Sequence, residues 1–542
     1  MLEIGTARSG NRTARIDATH VHSPYDPQKE ARRFVRQTLH DRNPSIILLL
    51  GAGLGYLYEE MRRSYPAARI LVVFYSESFP PVFAPALPPD RFWQPSSGRS
   101  ILQFLRSQVH DIEAEGLATV EWPPCARLFP HTSATANRAV QQLLREIRGS
   151  LVTTSAWGRL WLKNSLYNFL GIDRLYPPVA APPIGTATII AASGPTLARS
   201  VDLLIQYRSK IELWALPSSL LFLLSHGLFP DTVILTDPGY YAFSHLRCAA
   251  DRPLHLTMPL SAARGVWRIR SRVSLLCQDT PFERMLLEHA AINVPHVPSQ
   301  GTVSATAMLL ALAQRKGPVV LAGLDFRYQD ILSHVRPNNF ENWLEPRSHR
   351  LLSLYHQLFA LSAENAPKRG TGGRISPSLD TYAGWFAGFA ASQKGSVANR
   401  VYRLFPSSAA LPGIREIGQA EARRLFDAAE QREDGSRRCA TPLRGHPSRR
   451  EREKIVEDLL RGWIENTERI AGEVHATASL APLWNDSRYL SMLYLCNTAK
   501  LTEMRRTLRL QGIKTALQKT AGIFEEQEVF LKALRTAITG ML

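Results

Sequence analysis

The sequence predicts an α/β protein with an N-terminal Rossmann-like domain, a central doubly wound α/β domain and a C-terminal helical domain. Short aliphatic runs of strand length alternate with helical stretches up to residue 425, which is the pattern that parallel sheets produce. After residue 453 the chain has helical periodicity and no clear strand. The length of 542 residues agrees, since about 150 residues per domain gives three or four folding units.

The N-terminal domain, residues 1–135, is predicted from two strands and the helix between them. Ile46–Leu50 and Ile70–Phe74 are unbroken aliphatic runs, as expected of strands that are buried on both faces. Residues Tyr56–Tyr65 fit a helix. This order of strand, turn, helix and strand indicates a parallel α/β unit.

A possible N-terminal site consists of Gly51, Gly53 and Gly55 in the turn after the first strand, with Glu77 after the second. Glycines let a ligand approach the backbone, and the following helix N-terminus offers N–H groups to an anion. Glu77 is placed to hold a ribose. The G-x-G-x-G spacing lacks the full dinucleotide pattern, however, so we favour a tight turn over a cofactor site.

Residues 136–184 are predicted to form a helical linker that ends in the proline-rich stretch 177–183. Prolines remove backbone donors and disfavour helix in the residue before them. The central domain then covers residues 185–425, and Arg400–Phe405 is expected to return to its sheet. Its other candidate strands are Ala187–Ala192, Ile211–Leu216, Thr232–Thr236, Leu254–Met258, Val273–Cys277 and Pro318–Ala322.

The amino-acid composition predicts the structural character of the remaining segments. Residues 327–380 are polar, aromatic and glycine-rich, which predicts a mobile lid. Residues 426–452 read as a charged, solvated linker, and residues 453–542 as the C-terminal helical domain. We expect the apolar positions of these helices, such as Leu459 and Trp463, to pack on the body of the protein rather than on a partner.

The chain carries 65 Lys and Arg residues against 47 Asp and Glu residues, which gives a formal net charge of +18. Such a charge indicates an anionic partner: nucleotide, nucleic acid or membrane surface. The five cysteines have no CxxC spacing, which argues against structural zinc and a disulfide framework and favours a reducing compartment. Because neither a secretory signal nor a membrane-spanning run is seen, we expect a cytoplasmic protein with no integral membrane span.

Polar turns follow several strands of the central domain, at the edge where the carboxyl ends of the strands meet. Open α/β sheets bind their ligands at that edge. Hydroxyl groups, glycines and helix N-termini in such turns can hold a phosphate, so together they predict a nucleotide site. The candidate binding residues in these turns are Ser193, Gly194, Pro195, Thr196, Ser218, Asp237, Gly301, Thr302, Ser304 and Arg327.

His334 is the candidate general base among the 15 histidines of the chain. It follows Ser333 in a polar loop, shortly after Asp325, which is the second candidate catalytic residue. Histidine suits proton transfer because its pKa lies close to neutral pH. Arg327 and Arg336 flank this loop and are suited to hold a phosphate or a carboxylate.

The order of these motifs resembles the motility accessory factor (Maf) family of bacterial flagellin glycosyltransferases. The resemblance begins at the VHSPYDP segment of residues 21–27, passes through the glycine turn and extends to about residue 420. The chain departs from the family at Leu324, where the family often has glutamine, and at residues 407–410, where it often has a glycine pair. The matching motifs further along are Asn164, Asn168, Ser193 to Leu197, Asp237-Pro238, Gly301-Thr302-Val303, Gly323-Leu324-Asp325, Ser333-His334, Tyr382 and Trp385-Phe386.

This resemblance implies a central domain similar to that of sialyltransferases and of 6-hydroxymethylpterin diphosphokinases of the MptE type. It implies transfer of a nonulosonic acid, such as pseudaminic or legionaminic acid, from a CMP-activated donor to Ser or Thr of flagellin, in support of flagellum assembly and motility. The CMP-sugar would be a co-substrate, and we expect no other cofactor. We also expect no metal, because the chain has no DxD pattern and a single phosphate can be held by backbone dipoles and Arg.

The expected mechanism gives each group a role in the departure of CMP. Backbone N–H groups near Gly194 and Thr196, assisted by hydroxyls of the 302–304 turn, would stabilise the leaving phosphate. Asp237 and Asp325 would accept hydrogen bonds from the ribose or the sugar. The histidine named above would take the proton of the attacking hydroxyl.

Three alternatives stay open at this point. A diphosphokinase would need ATP with Mg²⁺ and carboxylates placed to hold the metal, a role for which Asp237 and Asp325 are candidates. A non-catalytic flagellin-binding accessory factor would use the C-terminal helices as a partner surface. A nucleic-acid role is disfavoured, since the basic residues are dispersed and no RNA- or DNA-binding motif is present.

Overall fold

The structure, a computed structural model, describes residues 2–40, 44–83, 85–109, 111–278, 280–366, 368–370, 373–392, 398–428, 441–443 and 445–540. These residues form two compact units. The first unit contains the chain up to Gly158 together with Ile464–Phe530, and the second contains Arg159–Trp463 together with the residues from Leu531 onward.

The first unit contains a small antiparallel sheet and a four-stranded parallel sheet. The small sheet has the order β1-β2-β3, and the parallel sheet has the order β6-β5-β4-β7. The strands are β1 Leu2–Thr6, β2 Arg12–Ile16, β3 Thr19–His20, β4 Ile46–Leu50, β5 Arg69–Val73, β6 Phe92–Trp93 and β7 Leu117–Glu121. The helices that begin in its N-terminal part are α1 Pro27–Leu39, α2 Tyr56–Ser64, α3 Ile101–Gln108, α4 Pro123–Leu128 and α5 Pro130–Gly171.

The second unit is built on an eight-stranded parallel sheet with the order β12-β11-β10-β9-β8-β13-β16-β17. Its strands are β8 Ala187–Ala191, β9 Ile211–Ala215, β10 Thr232–Ile234, β11 Leu254–Met258, β12 Ser271–Leu275, β13 Val319–Ala322, β16 Val401–Leu404 and β17 Arg415–Ile417, with a separate hairpin β14 Lys368–Gly370 and β15 Gly373–Ile375. Its helices are α6 Val201–Gln206, α7 Leu220–Ser225, α8 Tyr240–Leu246, α9 Pro281–His289, α10 Val303–Gln314, α11 Glu341–Leu344, α12 Leu354–Asn365, α13 Pro377–Ser392 and α14 Gln419–Asp427.

The C-terminal part of the chain is helical, as the sequence predicts. Its helices are α15 Arg449–Thr477, α16 Ala481–Asn485, α17 Ser487–Gln511 and α18 Ile513–Thr539. Residues of these helices are grouped with both units, since the division falls inside α15 and inside α18. The segment boundaries expected from the sequence stay predictions, and residues 429–440 and 444 of the charged linker at 426–452 lie outside the described residues. Among the described helices, none is both long and apolar enough to span a bilayer.

The mixed α/β class with parallel sheets is confirmed, and each strand predicted in the two sheets is present within two residues of its expected ends. The reason is burial: all five residues of Ile46–Leu50 and of Ala187–Ala191 are inaccessible to solvent, as expected of central strands covered on both faces. The small sheet β1–β3 was not predicted. Its strands are mostly exposed and polar, so they lack an aliphatic run to reveal them.

The strand order of the large sheet creates a switch point between β8 and β13. The chain passes from β8 to β9, β10, β11 and β12 on one side and returns to β13 on the other side of β8. The connections therefore diverge between β8 and β13, and doubly wound sheets bind ligands in the crevice at such a switch point.

Candidate functional site

The turns after β8 and β13 are tied together by Asp325. This carboxylate is almost fully buried and accepts hydrogen bonds from the backbone N–H of Thr196 at 2.8 Å and from its hydroxyl at 2.6 Å. The N–H of Ser408 donates a third bond at 3.2 Å. Burial raises the pKa of Asp325, whereas the hydrogen bonds from Thr196 and Ser408 lower it. Asp325 therefore joins the turns after β8 and β13 at the switch point. We call Asp325 with its partners Thr196 and Ser408 the clasp.

Gly194 makes this close approach possible. A Cβ atom at this position would lie 2.4 Å from Oδ2 of Asp325 and 2.5 Å from the carbonyl oxygen of Gly323. The N–H of Gly194 donates to that same carbonyl oxygen at 2.9 Å. The glycine thus serves the packing of two neighbouring turns rather than leaving room for a ligand.

These contacts correct two predicted roles. The N–H groups of Gly194 and Thr196 both have acceptors within the protein, so they are not available to a leaving phosphate. Asp325 uses both carboxylate oxygens internally and is not a free acceptor for ribose or sugar. Sequence reasoning missed this pairing because it joins two turns that are 129 residues apart in the chain.

Beside this clasp, Asp237, Gly301 and Tyr382 meet at the same edge of the sheet. Asp237 is exposed after β10, and one carboxylate oxygen accepts the N–H of Gly239 at 2.7 Å. A Cβ atom on Gly301 would lie 3.9 Å from the ring of Tyr382. Burial raises the pKa of the Tyr382 phenol, and the negative charge of Asp237 raises it further, which places the two side chains within electrostatic reach.

The start of α10 supplies the free donors that the Gly194 turn lacks. Thr302 occupies the N-cap position in extended conformation, and no side chain caps the first turn of this twelve-residue helix. The hydroxyls of Thr302 and Ser304 lie 3.0 Å apart. Uncapped N–H groups and two hydroxyls at a helix N-terminus form an arrangement suited to an anion.

Helix α13 contacts both the loop after β13 and the turn that precedes α10. Asp380 on this helix forms an ion pair with Arg327 at 3.2 Å, and Trp385 donates from Nε1 to Gln300 at 2.6 Å. Phe326, between the clasp and Arg327, has a positive φ of 47°. For a bulky residue this is a strained conformation, and such strain is frequent at functional sites.

His334 lies at the clasp, where the N–H of Val335 donates to the carbonyl oxygen of Ser193 at 2.8 Å. Its Nδ1 is 2.8 Å from the hydroxyl of Ser333, and its ring packs at 4.7 Å from that of Phe340. Burial lowers the pKa of His334 to about 4, and the nearby His245 lowers it too. The imidazole is therefore neutral at pH 7 and has one nitrogen able to accept a proton.

Ser218 follows β9 in a short 3₁₀ turn and is partly buried. Its neighbour Ser219 donates to the carbonyl oxygen of Ala191 at the end of β8 at 2.8 Å. Ser218 therefore lies at the carboxyl edge of the sheet. Pro195 begins a 3₁₀ turn there, Pro195–Ser200, and α6 follows directly at Val201.

Asn164 and Asn168 hold the loops at this edge. The amide of Asn164 donates to the carbonyl oxygen of Pro238 at 3.0 Å and to that of Ser261 at 3.2 Å. Asn168 donates to the carbonyl oxygens of Leu260 and Ala262 at 2.8 and 2.9 Å. Both asparagines are buried, so they fix the turn that carries Asp237.

The N-terminal glycine turn is closed by the protein itself. Nε2 of His22 accepts the N–H of Leu54 at 3.0 Å, and a Cβ atom on Gly53 would lie 2.4 Å from this nitrogen. His22 is buried and stacks on Trp122, with ring centroids 5.5 Å apart. The VHSPYDP segment therefore fills the space in which a phosphate would sit, which supports the interpretation as a tight turn.

The other residues of the possible N-terminal site are also in contact with neighbouring residues of the protein. Gly51 and Gly55 have positive φ and face Cys125 and a proline ring, respectively. Glu77 is exposed and accepts hydrogen bonds from the N–H and the hydroxyl of Ser96. It ties the segment after β5 to the turn after β6, and no contact among the described residues directs it toward a ribose.

Within the described part of the chain, no three His, Cys, Asp or Glu side chains are grouped so as to hold a metal ion. The predicted lid contains the short helices α11 and α12 and the hairpin β14–β15. Its Gly372 lies outside the described residues. The mobility of this segment stays a prediction.

The fold defines an α/β protein with a parallel sheet in each unit and helices at its C-terminal end. Comparison with known proteins identifies a family and a solved structure to which the chain is similar. Residues 164–330 match the family described as 6-hydroxymethylpterin diphosphokinase MptE-like. A solved structure of a Maf glycosyltransferase from Magnetospirillum magneticum AMB-1 is similar with a TM-score of 0.55 and 12% identity, over 99% of this chain and 91% of that chain.

Relatives by sequence include uncharacterised proteins of Treponema pallidum (strain Nichols). One is 24% identical over 426 residues, which is 78% of this chain and 87% of that protein. Another is 24% identical over 228 residues, which is 38% of this chain and 74% of that protein. The family match in the central domain and the shared fold confirm the resemblance to the Maf family that the sequence motifs indicate.

Proposed function

We propose that the protein is a glycosyltransferase that moves a nonulosonic acid, of the pseudaminic or legionaminic type, from a CMP-activated donor to Ser or Thr of flagellin. The observation that carries the proposal is the neutral His334 at the switch point of the large sheet, held beside Ser193. A neutral imidazole at the ligand-binding edge can accept the proton of a hydroxyl acceptor. The Maf relationship supports the choice of donor and acceptor.

The donor would lie across the edge between Asp237 and the start of α10. Thr302 and Ser304 offer hydroxyls and uncapped helix N–H groups to the phosphate, and Asp237 offers a carboxylate to the ribose or sugar hydroxyls. Arg327, which pairs with Asp380 on α13, would offer a cation to the donor. The phosphate gains negative charge as it leaves, so fixed donors at this position stabilise the transition state more than the ground state.

The transfer step then balances as a single displacement. The hydroxyl oxygen of the acceptor attacks the anomeric carbon, the bond from that carbon to the phosphate oxygen breaks, and CMP leaves with the electron pair. His334 takes the proton of the hydroxyl. Such a base contributes about 10²- to 10⁴-fold in rate.

The test is to incubate the purified protein with CMP-pseudaminic or CMP-legionaminic acid and unmodified flagellin, and to read the intact mass of flagellin. A mass increase of one sugar per modified site is expected, with CMP released in equal amount. An unchanged flagellin mass with both donors, from folded protein, contradicts the proposal and favours a binding role without catalysis.

A second candidate is a pterin diphosphokinase, which the family match over residues 164–330 favours. That reaction uses ATP with Mg²⁺, for which carboxylates normally hold the metal. Asp325 is poorly placed for this role because Thr196 and Ser408 occupy its oxygens. Titration calorimetry with CMP and, separately, with ATP–Mg²⁺ discriminates between the two: binding of CMP alone supports the transferase.

A further inference from the structure

We propose that three aromatic side chains beside His334 form the surface on which the acceptor polypeptide docks. They are Tyr240 and Tyr241 at the start of α8 and Trp343 on α11, and we call them the aromatic platform. The inference rests on the proposed function and adds to it the place at which the protein substrate binds.

The aromatic platform faces solvent although its side chains are large and mostly apolar. Tyr240 is 59% exposed and Tyr241 is 53% exposed, while Trp343 is partly exposed beside them. Contiguous apolar surface of this kind marks interaction sites, and tyrosine and tryptophan are enriched where proteins bind one another. The exposure of these rings therefore indicates a surface that binds a partner.

The aromatic platform is continuous with the candidate base through ring contacts. The ring of Phe340 lies 4.7 Å from the imidazole of His334 and 6.2 Å from the ring of Tyr241, measured between ring centroids. The ring of Trp343 lies 4.1 Å from that of Tyr241 and 5.9 Å from that of Tyr240. A polypeptide held on these rings would therefore pass close to the base.

The turn before α8 joins the aromatic platform to the proposed donor position. Asp237 accepts the N–H of Gly239 at 2.7 Å, and Tyr240 follows as the first residue of α8. Asn164 fixes this turn by donating to the carbonyl oxygen of Pro238 at 3.0 Å. A donor bound at Asp237 and an acceptor bound on α8 would thus approach the base from adjacent positions.

Charge favours a polypeptide on this surface over the CMP-sugar itself. Helix α8 has the sequence YYAFSHL, which contains no Asp, Glu, Lys or Arg. The carboxylate of Glu341 on α11 is paired with Arg336 at 2.6 Å. The donor carries a phosphate and a carboxylate, which bind best to cations, and the rings supply none. A neutral aromatic surface on a chain of net charge +18 instead suits the uncharged side chains around an acceptor Ser or Thr.

A second copy of this chain is the competing occupant. A permanent interface at the aromatic platform would cover Phe340 and the approach to His334, where the acceptor hydroxyl has to enter. The platform has only three side chains, whereas a stable interface buries roughly 20–30 residues on each side. Its size suits a substrate that binds and leaves.

Binding of unmodified flagellin to the full-length protein without donor, measured by biolayer interferometry, is the first test. The double variant Tyr240→Ser with Tyr241→Ser should bind flagellin about 10- to 30-fold more weakly, as expected for the loss of aromatic anchors. Its affinity for CMP, measured by calorimetry, should equal that of the wild type. Tyr25→Ala is the matched control, because Tyr25 is 60% exposed on another part of the surface, and it should bind flagellin normally.

Kinetics of transfer from CMP-pseudaminic or CMP-legionaminic acid provide the second test. The double variant should raise KM for flagellin by about the same 10- to 30-fold, with unchanged kcat and unchanged KM for the donor, since docking contacts are made equally in the ground state and the transition state. Tyr241→Phe keeps the ring and should retain most of the affinity. A fall in kcat at saturating flagellin would overturn the docking role.

The outcomes separate this inference from the proposed function. If the wild type binds flagellin through the aromatic platform but transfers no sugar, the proposed function is wrong and the docking surface holds. If transfer occurs and the double variant keeps the wild-type KM for flagellin, the docking surface is wrong. Weaker CMP binding by the double variant would make the rings a nucleotide site, and a change from dimer to monomer in ultracentrifugation would make them an interface between copies. Either result overturns the proposal.

Discussion

The two parallel sheets of this protein carry a glycine-containing turn after a central buried strand, and neither turn is open to a ligand. In the first unit the N–H of Leu54 is taken by His22, and in the second unit the N–H of Thr196 is taken by Asp325. The turns differ in their surroundings. His22 is enclosed by aromatic rings, whereas exposed or partly exposed polar groups, Asp237 and Thr302 among them, lie beside the second turn.

This difference shows that the glycines mark close packing in both sheets and that the functional edge is identified by what lies next to them. In the second unit exposed or partly exposed polar groups such as Asp237 and Thr302 lie beside the turn, whereas in the first unit the buried His22 occupies the turn itself. We therefore expect changes in the second unit to alter the reaction and changes in the first to alter stability.

The largest effect on the reaction is expected from His334→Gln, which keeps the size of the side chain but removes the base. Transfer should fall by about 10²- to 10⁴-fold, while donor affinity stays within about twofold. Rates of CMP release and calorimetry with CMP measure the two quantities. Full transfer by this variant would break the assignment of the base; His226→Gln, on the surface of the same unit, is the control.

Asp325→Ala should destabilise the second unit strongly. It leaves the buried N–H of Thr196 and the N–H of Ser408 without their acceptor, at a cost of about 2–4 kcal/mol. Chemical denaturation followed by tryptophan fluorescence measures the loss. Asp237→Ala is the matched carboxylate control: the side chain is exposed, so stability should change by less than about 1 kcal/mol while donor affinity falls.

Gly53→Ala should destabilise the first unit by about 2–4 kcal/mol, since its φ of 56° is left-handed and the added Cβ would overlap His22. Gly10→Ala has a φ of 82° with open space around it, so it should cost only about 1–2 kcal/mol. Denaturation of both variants tests the difference. Loss of CMP binding by correctly folded Gly53→Ala would instead make the N-terminal turn a ligand site.

The pH dependence of transfer should reflect the low pKa of His334. A base with a pKa of about 4 is neutral and active above that pH, and it loses activity as the pH falls through about 4. A histidine in its ordinary range would begin to lose activity near pH 6.5. The kcat/KM profile between pH 4 and 8 measures this; an acid limb centred near 6.5 would show that the base is not buried as described.

The smallest effect is expected from Glu77→Ala. This exposed carboxylate accepts hydrogen bonds from Ser96 in the turn after β6, at the surface, so stability should change by less than about 0.5 kcal/mol and CMP affinity should not change. A measurable drop in CMP affinity would return a binding role to the first unit.

The strands could be predicted from the sequence because burial on both faces leaves unbroken aliphatic runs such as Ile46–Leu50. Polar residues at the carboxyl ends of those strands predicted the candidate site, and the structure places Asp237, Gly301 and Tyr382 together at that edge. The pairing of side chains could not be predicted: Thr196 and Asp325 are 129 residues apart, and His22 and Leu54 are 32 apart. A glycine required by such a contact has the same sequence pattern as a glycine required by a phosphate.

The role of Ser408 is a second feature that could not be predicted from the sequence. It stands in residues 407–410, where the chain departs from the family pattern. In the structure its N–H supports Asp325 at 3.2 Å, and its hydroxyl accepts from Gln329 at 2.6 Å. Only the three-dimensional contacts reveal that Ser408 supports Asp325.

The most direct test of the central claim is a crystal structure of the full-length protein with CMP. The nucleotide is expected at the carboxyl edge of the large sheet, with its phosphate at the start of α10 near Thr302 and its ribose near Asp237. Density for CMP in the turn from Gly51 to Gly55, or away from both edges, would contradict the assignment of the site.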